Sequence, residues 1–366
     1  MDHAAGAPSA AQELESLCHP ALDEQAVAVY NSLQTSLIQE EEAMLLAGDI
    51  GATKTHLALY SADRGLVAQR QATFRSAEYP SLEAVASEFL GEARSSIDQA
   101  VFGVAGPVLG GQTTATNLPW IVSETILENT LGLPKARLLN DLEATAHGVP
   151  HLAPADLFTL NEAPPRSGSK AVIAPGTGLG EAVLLYQDGR YYVIPSEGGH
   201  TDFGPTNLFE IELLRYLMGK FGHVSYERIC SGIGLPNIYL YLRENRFAKE
   251  PPHVAAALEE AADPTPVIVQ KAMDGESELC IATLNAFVSI LGAEAGNLAL
   301  KVMASGGVYV GGGIPPKILP KLRDGTFMAA FVNKGRFAEM LAKMPVYVIL
   351  KPDTALLGAA CYGLGL

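Results

Sequence analysis

Ala47-Gly48-Asp49-Ile50-Gly51-Ala52-Thr53-Lys54-Thr55 and Ala174-Pro175-Gly176-Thr177-Gly178-Leu179-Gly180 are two glycine-rich turns far apart in one chain. Each follows an apolar run that reads as a strand, Leu45-Leu46-Ala47 and Ala171-Val172-Ile173, and each leads into another, His56 to Tyr60 and Ala182 to Leu185. Strand, glycine turn, strand is a hairpin able to hold phosphate, because glycine lets backbone N–H groups come close to an anion and the hydroxyls of Thr53, Thr55 and Thr177 add donors. Either segment alone reads equally as an ordinary β-turn. Together, with Asp49 in the first, they point to one nucleotide gripped from two sides and to phosphoryl transfer.

The pattern around the turns repeats. From Met44 the periodicity predicts strands at 44–50, 55–60 and 67–74, a helix opened by Pro80-Ser81, a strand at 98–105, a helix near 122–131 and a strand at 136–140. Strands near 170–175, 180–186 and 190–195 then precede a long helical region, a strand near 307–311, a helix after Pro315-Pro316, a strand near 345–350 and a helix from Thr354. Two α/β units of like order imply a duplicated fold with a cleft between the halves, where ligands would sit. The division expected is 1–43 as an acidic extension, 44–151 plus 347–366 as a small domain and 152–346 as a large one. In the extension Leu22, Ala26, Val29, Leu33 and Leu37 recur at helical spacing after Pro20, which predicts one amphipathic helix.

Composition excludes several classes. The 366 residues, 48% hydrophobic and 18% charged, suffice for a large core and two domains. A net charge of −15 argues against nucleic acid as partner, and −8 of it lies in residues 1–43, which hold no Lys or Arg. That segment lacks the basic start and apolar run of a secretory signal. Cys18, Cys230, Cys280 and Cys361 are too scattered for a zinc knuckle or a disulfide framework, which fits a cytoplasmic location. The longest apolar region, Cys280 to Met303, is broken by Asn285, Glu294, Asn297 and Lys301 and reads as a buried helix rather than a membrane span.

Asn140-Asp141 ends the strand Ala136-Leu139 and opens a helix, at the carboxyl end of a strand where open α/β sheets bind ligands. A carboxylate there can take the proton of a sugar hydroxyl as it attacks phosphorus, and both residue types also suit a plain helix N-cap. Glu197-Gly198-Gly199-His200, with Asp202, gathers the carboxylate and imidazole groups that bind sugar hydroxyls, or else forms a polar surface turn. A metal site is disfavoured there by the lack of a second His or Cys at ligand spacing. Gly311-Gly312-Gly313 after Val308-Tyr309-Val310 suits close approach to a flat base or ribose, or a tight turn.

Over residues 44–366 the chain resembles the bacterial-type glucokinases, within the superfamily of hexokinases, actin and sugar kinases. The resemblance rests on Gly48-Asp49-Ile50-Gly51-Ala52-Thr53, Asn140-Asp141, Gly176-Thr177-Gly178-Leu179-Gly180, Glu197-Gly198-Gly199-His200, Ser225 to Leu235 (SYERICSGIGL), Gly311-Gly312-Gly313 and Leu357-Gly358-Ala359. It implies duplicated ribonuclease-H-like, actin-like ATPase domains around a cleft. It also implies an ATP-dependent glucokinase acting on the 6-hydroxyl of glucose with Asp141 as general base. Asn140, Asp141, Glu197, His200 and Glu227 would hold the sugar; Glu227 by itself reads as a solvated helix residue. Asp49 would hold Mg²⁺ through water, the turns with Gly51, Thr53, Gly176, Thr177 and Gly178 would hold the ATP phosphates, and Gly311 and Gly312 would face the adenosine. Ala52 replaces the family's usual second glycine, which is harmless if its φ is negative. Thr201-Asp202-Phe203-Gly204 lacks the cysteines of the zinc motif found in the related repressor and sugar-kinase family.

Three alternatives share these residues. A hexose kinase of broader range would use mannose or take phosphate from polyphosphate. A sugar-sensing regulator would need a helix-turn-helix ahead of Met44, for which an acidic segment without Lys or Arg is ill suited. A filament or chaperone scaffold would have no use for Glu197, His200 and Glu227 together. Partners expected are glucose and ATP, no membrane, and a second copy in a symmetric homodimer, the commonest state of associating soluble enzymes.

Overall fold

Strand β1 (Met44–Ile50) turns through Gly51-Ala52-Thr53 into β2 (Lys54–Ser61), pairing antiparallel from Met44 opposite Ser61 to Ile50 opposite Thr55. The structure, a computed structural model, describes residues 43–91, 97–115, 118–164 and 166–366. The chain continues through β3 (Arg70–Arg75), α1 (Leu82–Leu90), β4 (Ile97–Val104), the short pair β5 (Gln112–Thr114) and β6 (Ile121–Ser123), α2 (Glu124–Leu131), β7 (Ala136–Asn140) and α3 (Asp141–Gly148). Next come β8 (Leu157–Asn161), β9 (Lys170–Pro175), β10 (Leu179–Gln187) and β11 (Arg190–Ser196), then the helices α4 (Leu208–Met218), α5 (Leu235–Glu244), α6 (Pro252–Glu260), α7 (Pro264–Met273) and α8 (Glu278–Val302). The chain ends with β12 (Val308–Val310), α9 (Leu319–Leu322), α10 (Thr326–Val332), α11 (Ala338–Leu341), β13 (Val346–Ile349) and α12 (Thr354–Leu364).

The first sheet has the order β3-β2-β1-β4-β7, an antiparallel meander followed by two parallel strands. The second, β11-β10-β9-β12-β13-β8, begins with the same arrangement and adds β8 antiparallel at its edge. Each glycine turn joins the first two strands of its meander, as the sequence suggests.

Several differences from the sequence reading have local causes. The third strand starts at Arg70 rather than 67, and the helix expected over 122–131 gives its first residues to β6 and starts at Glu124. The β5–β6 pair and β8 are too short, or too weakly alternating, to read as strands. Pro315-Pro316 opens a 3₁₀ turn that runs into the one-turn helix α9. A domain boundary at 347 cuts β13, whose partners β12 and β8 both belong to the second sheet; the return to the first sheet begins with α12. The helix expected in residues 1–43 lies outside the described residues.

Helices α3 and α12 lie against the first sheet on the face opposite α1 and α2. Ala144, Ala355, Leu356, Ala359 and Ala360 join Leu45, Ala47, Ala58 and Val101 in one core. The other side of α3, with Val149 just after it, presents Leu142 and Ala146 to Val172, Ala182 and Leu184 of the second sheet. Helix α3 therefore packs on both sheets, and its first residue is Asp141. Its contact with α12 is close enough to demand glycine: a Cβ on Gly358 would fall 1.6 Å from the Ala144 carbonyl oxygen, and one on Gly148 2.6 Å from that of Thr354. Helix α8 has the length and apolarity of a membrane span, yet it is largely buried against the far face of the second sheet, as a core helix.

Candidate active site

Asn140 closes β7 in extended conformation and caps α3. Its Oδ1 accepts the N–H of Leu142 at 2.9 Å and of Glu143 at 3.4 Å, while Glu143 Oε2 accepts the Asn140 N–H at 3.4 Å. Its Nδ2 donates to the Gly106 carbonyl at 3.0 Å. Asn140 thus caps the helix and fixes its start, and Asp141 follows it. One Asp141 oxygen accepts the Leu142 N–H at 2.9 Å. Burial, with the nearby Glu197 charge, raises the Asp141 pKa against the lowering effect of these hydrogen bonds.

Asp49, near the carboxyl end of β1, is pushed up to about 7 by burial and by the charges of Asp141 and Asp353. Asp353 precedes α12 and stands 3.5 Å from His56 Nδ1. It joins the site without having been foreseen, since an Asp ahead of a helix reads as a cap. Such crowding of carboxylates is what a divalent cation relieves, and Mg²⁺ is held by one or two carboxylates, waters and substrate phosphates. No three His, Cys, Asp or Glu side chains among the described residues form a ready protein cage. Asp49 with water and phosphate ligands fits that donor pattern.

The first turn is braced by Ser76, whose hydroxyl donates to the Gly51 carbonyl at 2.7 Å and whose N–H bonds Thr53 O at 3.2 Å. Thr55 is buried, with its hydroxyl 3.0 Å from that of Ser76, so it supports the turn instead of serving phosphate; Thr53 is exposed. Positive φ among the described non-glycine residues occurs only at Asp188, Arg246 and Met303, so Ala52 sits without strain.

The second turn closes with Gly176 N–H to Gly178 O at 2.9 Å and is held by Gly232 N–H to Gly176 O at 2.8 Å and Ile233 N–H to Thr177 O at 3.2 Å. Gly176, Thr177, Val269, Met273, Gly313, Ile314 and Lys317 line part of a cavity of about 900 Å³ beside it. Gly311 and Gly312 do not line this cavity. Gly312, at φ +85°, lies where a Cβ would meet the Pro175 carbonyl at 2.4 Å, so both residues back the turn and the next two reach the cavity.

Glu197, His200 and Glu227 come together. His200 Nε2 is 4.0 Å from Glu197 Oε2 and 3.9 Å from Glu227 Oε2. Glu197 and His200 are exposed, whereas the Glu227 side chain is 17% exposed and accepts the Leu179 N–H at 3.0 Å. That bond explains Gly178, where a Cβ would fall 2.4 Å from Glu227 Oε2. A Cβ at Gly199 would lie 2.0 Å from Leu179 O, so β10 presses directly on this loop. Tyr226 N–H to Thr201 O at 3.1 Å and Phe203 N–H to Val224 O at 3.0 Å tie the two segments together.

The glucokinase family model matches residues 46–365. The chain belongs to the glucokinase family. A glucokinase of Nostoc punctiforme is 40% identical over 333 residues, covering 87% of this chain and 98% of that one. A glucokinase of Synechocystis is 38% identical over 341 residues, covering 86% and 96%. The crystal structure of a glucokinase from an Antarctic psychrotroph shares 30% identity at a TM-score of 0.75, over 87% of this chain and 98% of that one. Glucokinase from Balamuthia mandrillaris, solved with glucose, shares the fold at a TM-score of 0.71 and 20% identity, over 94% of this chain and all of that one. Of the glycines in the motifs, Gly178, Gly198, Gly199, Gly312 and Gly358 each have a direct steric reason in this structure.

Proposed function

We propose that this chain transfers phosphate from ATP to the 6-hydroxyl of glucose in a cleft between two ribonuclease-H-like, actin-like ATPase domains. Support for the duplicated fold is the shared strand order of the two sheets, and for the domain division the return of α12 to the first sheet. The observation that carries the function is the Glu227 carboxylate, which lies beside His200 and is bonded to the second glycine turn, so sugar and phosphate are brought to one place.

In this reading Asp141, Glu197, His200 and Glu227 bind hydroxyls, and Asn140 adds the Nδ2 hydrogen left over from its bond to Gly106. Asp141 takes the 6-hydroxyl proton as that oxygen attacks the γ-phosphorus. Its raised pKa makes it a stronger base than an ordinary carboxylate. The backbone of the turns at Gly51, Thr53, Gly176, Thr177 and Gly178 receives the phosphates, and the cavity at Val269, Met273 and Ile314 receives the adenosine, backed by Gly311 and Gly312. Mg²⁺, bound at Asp49 through water, would offset charge on the transferring phosphate. The remaining acceleration is positioning and exclusion of water.

A cytoplasmic setting agrees with Cys230, Cys280 and Cys361, all buried free thiols. A homodimer agrees with the exposed Leu208, Ile211 and Met218 on one face of α4. The test is turnover of glucose, mannose, fructose and N-acetylglucosamine with Mg-ATP or polyphosphate, with Asp141→Asn as blank. Preference for glucose with ATP is expected. Preference for another sugar or donor, or no turnover of any pair, overturns the assignment.

A further inference from the structure

Beneath the sugar-facing loops lie acids that the reaction does not use. Glu181 on β10 is 2% exposed, and its Oε1 has no hydrogen-bond partner among the described residues. Its Oε2 presses on the loop above: a Cβ at Gly198 would fall 2.0 Å from it. Glu294 on α8 is fully buried, accepts Asn297 Nδ2 at 2.8 Å and faces Lys301 Nζ at 3.4 Å. Asn297 Nδ2 is also 3.0 Å from the Tyr226 hydroxyl, and Tyr226 adjoins Glu227.

We propose that Glu181 and Glu294 are positioning residues that seat the two sugar-binding segments from beneath, and that sugar affinity falls when the Glu181 carboxyl is ionised. Glu181 acts on Glu197-Gly198-Gly199-His200 through Gly198, and Glu294 acts on Glu227 through Asn297 and Tyr226. The inference rests on the sugar-kinase function for its substrate.

The electrostatics agree with the geometry. Lys301 reaches Glu294, while Glu181 Oε1 has no hydrogen-bond partner, cationic or neutral, among the described residues. Burial, then the Glu294 charge, pushes Glu181 up to about 7 against the opposing effect of Lys301. The surrounding groups are Glu210 on α4, whose oxygens are satisfied by Thr206 and Asn207, Lys334 after α10, and Tyr226 and Cys230, both held neutral. A protonated Glu181 lies quietly under Gly198. Once ionised it is repelled by Glu294 and needs water, and the atoms between Oε2 and the sugar loop are those of Gly198.

The experiment measures KM for glucose and kcat across the neutral pH range for the full chain and for Glu181→Gln, with calorimetric glucose binding alongside. In the unmodified protein KM is expected to rise by up to about tenfold per pH unit above neutrality, with kcat little changed. Glu181→Gln, which keeps shape without charge, should flatten that rise. Equal pH profiles in the two proteins, or a flat KM in the unmodified protein, overturn the proposal; the second readout needs no variant. Absence of glucose turnover and binding at every pH would instead remove the kinase function, and this inference with it.

Discussion

Glu227 Oε2 accepts the backbone N–H of Leu179 at 3.0 Å and lies 3.9 Å from His200 Nε2, so one oxygen joins the turn at 176–178 to the loop that carries His200. Glu227→Ala is expected to raise KM for glucose and for ATP together. Loss of a charge-assisted hydrogen bond costs about 1.5–3 kcal/mol, or roughly 10–100-fold in kcat/KM. Steady-state kinetics with each substrate varied checks this; an unchanged KM for ATP would show that the bond to Leu179 does not hold the turn.

Asp141→Asn keeps an oxygen to accept the Leu142 N–H but has no site for the sugar proton. Turnover should fall about 10²–10⁴-fold while glucose affinity stays within a few-fold, as read by kinetics and calorimetry. Near-normal turnover would remove Asp141 from the role of base.

Gly358→Ala places a methyl 1.6 Å from the Ala144 carbonyl oxygen, against backbone that cannot rotate away. The expected cost is about 3 kcal/mol or more, a fall in Tm of at least ~4 °C, measured by calorimetry. Gly313→Ala, where a Cβ meets nothing within 4 Å, is the matched control and should leave Tm unchanged.

His147 meets the Tyr362 ring edge-on at 5.1 Å, and burial, aided by His151, lowers its pKa from 6.5 to about 4. Between those values the unfolded chain takes up a proton that the folded chain refuses, so this residue's contribution falls as pH drops through that window. Its effect is absent above the unfolded pKa. His147→Gln should therefore lose less stability than the unmodified protein between neutrality and about pH 5. Urea midpoints at the two pH values decide it, and identical losses would refute the shift.

Much of the fold was legible because its long strands alternate and its glycine turns recur. The elements that escaped were Gln112–Thr114, Ile121–Ser123 and Leu157–Asn161, where pairing rather than local pattern makes the strand. Asn140, Asp141, Glu197 and His200 announce themselves by residue type at the ends of strands. Glu227 was visible only through family resemblance, since the bond that matters joins it to a residue 48 positions away. Asp353, Ser76 and Glu181 were not singled out, because each acquires its role from what folding brings beside it. Thr55 shows the converse: a hydroxyl suited to phosphate is spent on Ser76.

The Gly358 and Ala144 contact also joins stretches of chain that lie far apart in the sequence. The helix that starts with Asp141 has its close partner in Thr354–Leu364, with the whole second sheet in between. Leu45, Ala47 and Val101 gain their covering layer only when those two helices meet. Seating Asp141 therefore depends on closing a long loop, the kind of non-local contact that slows folding.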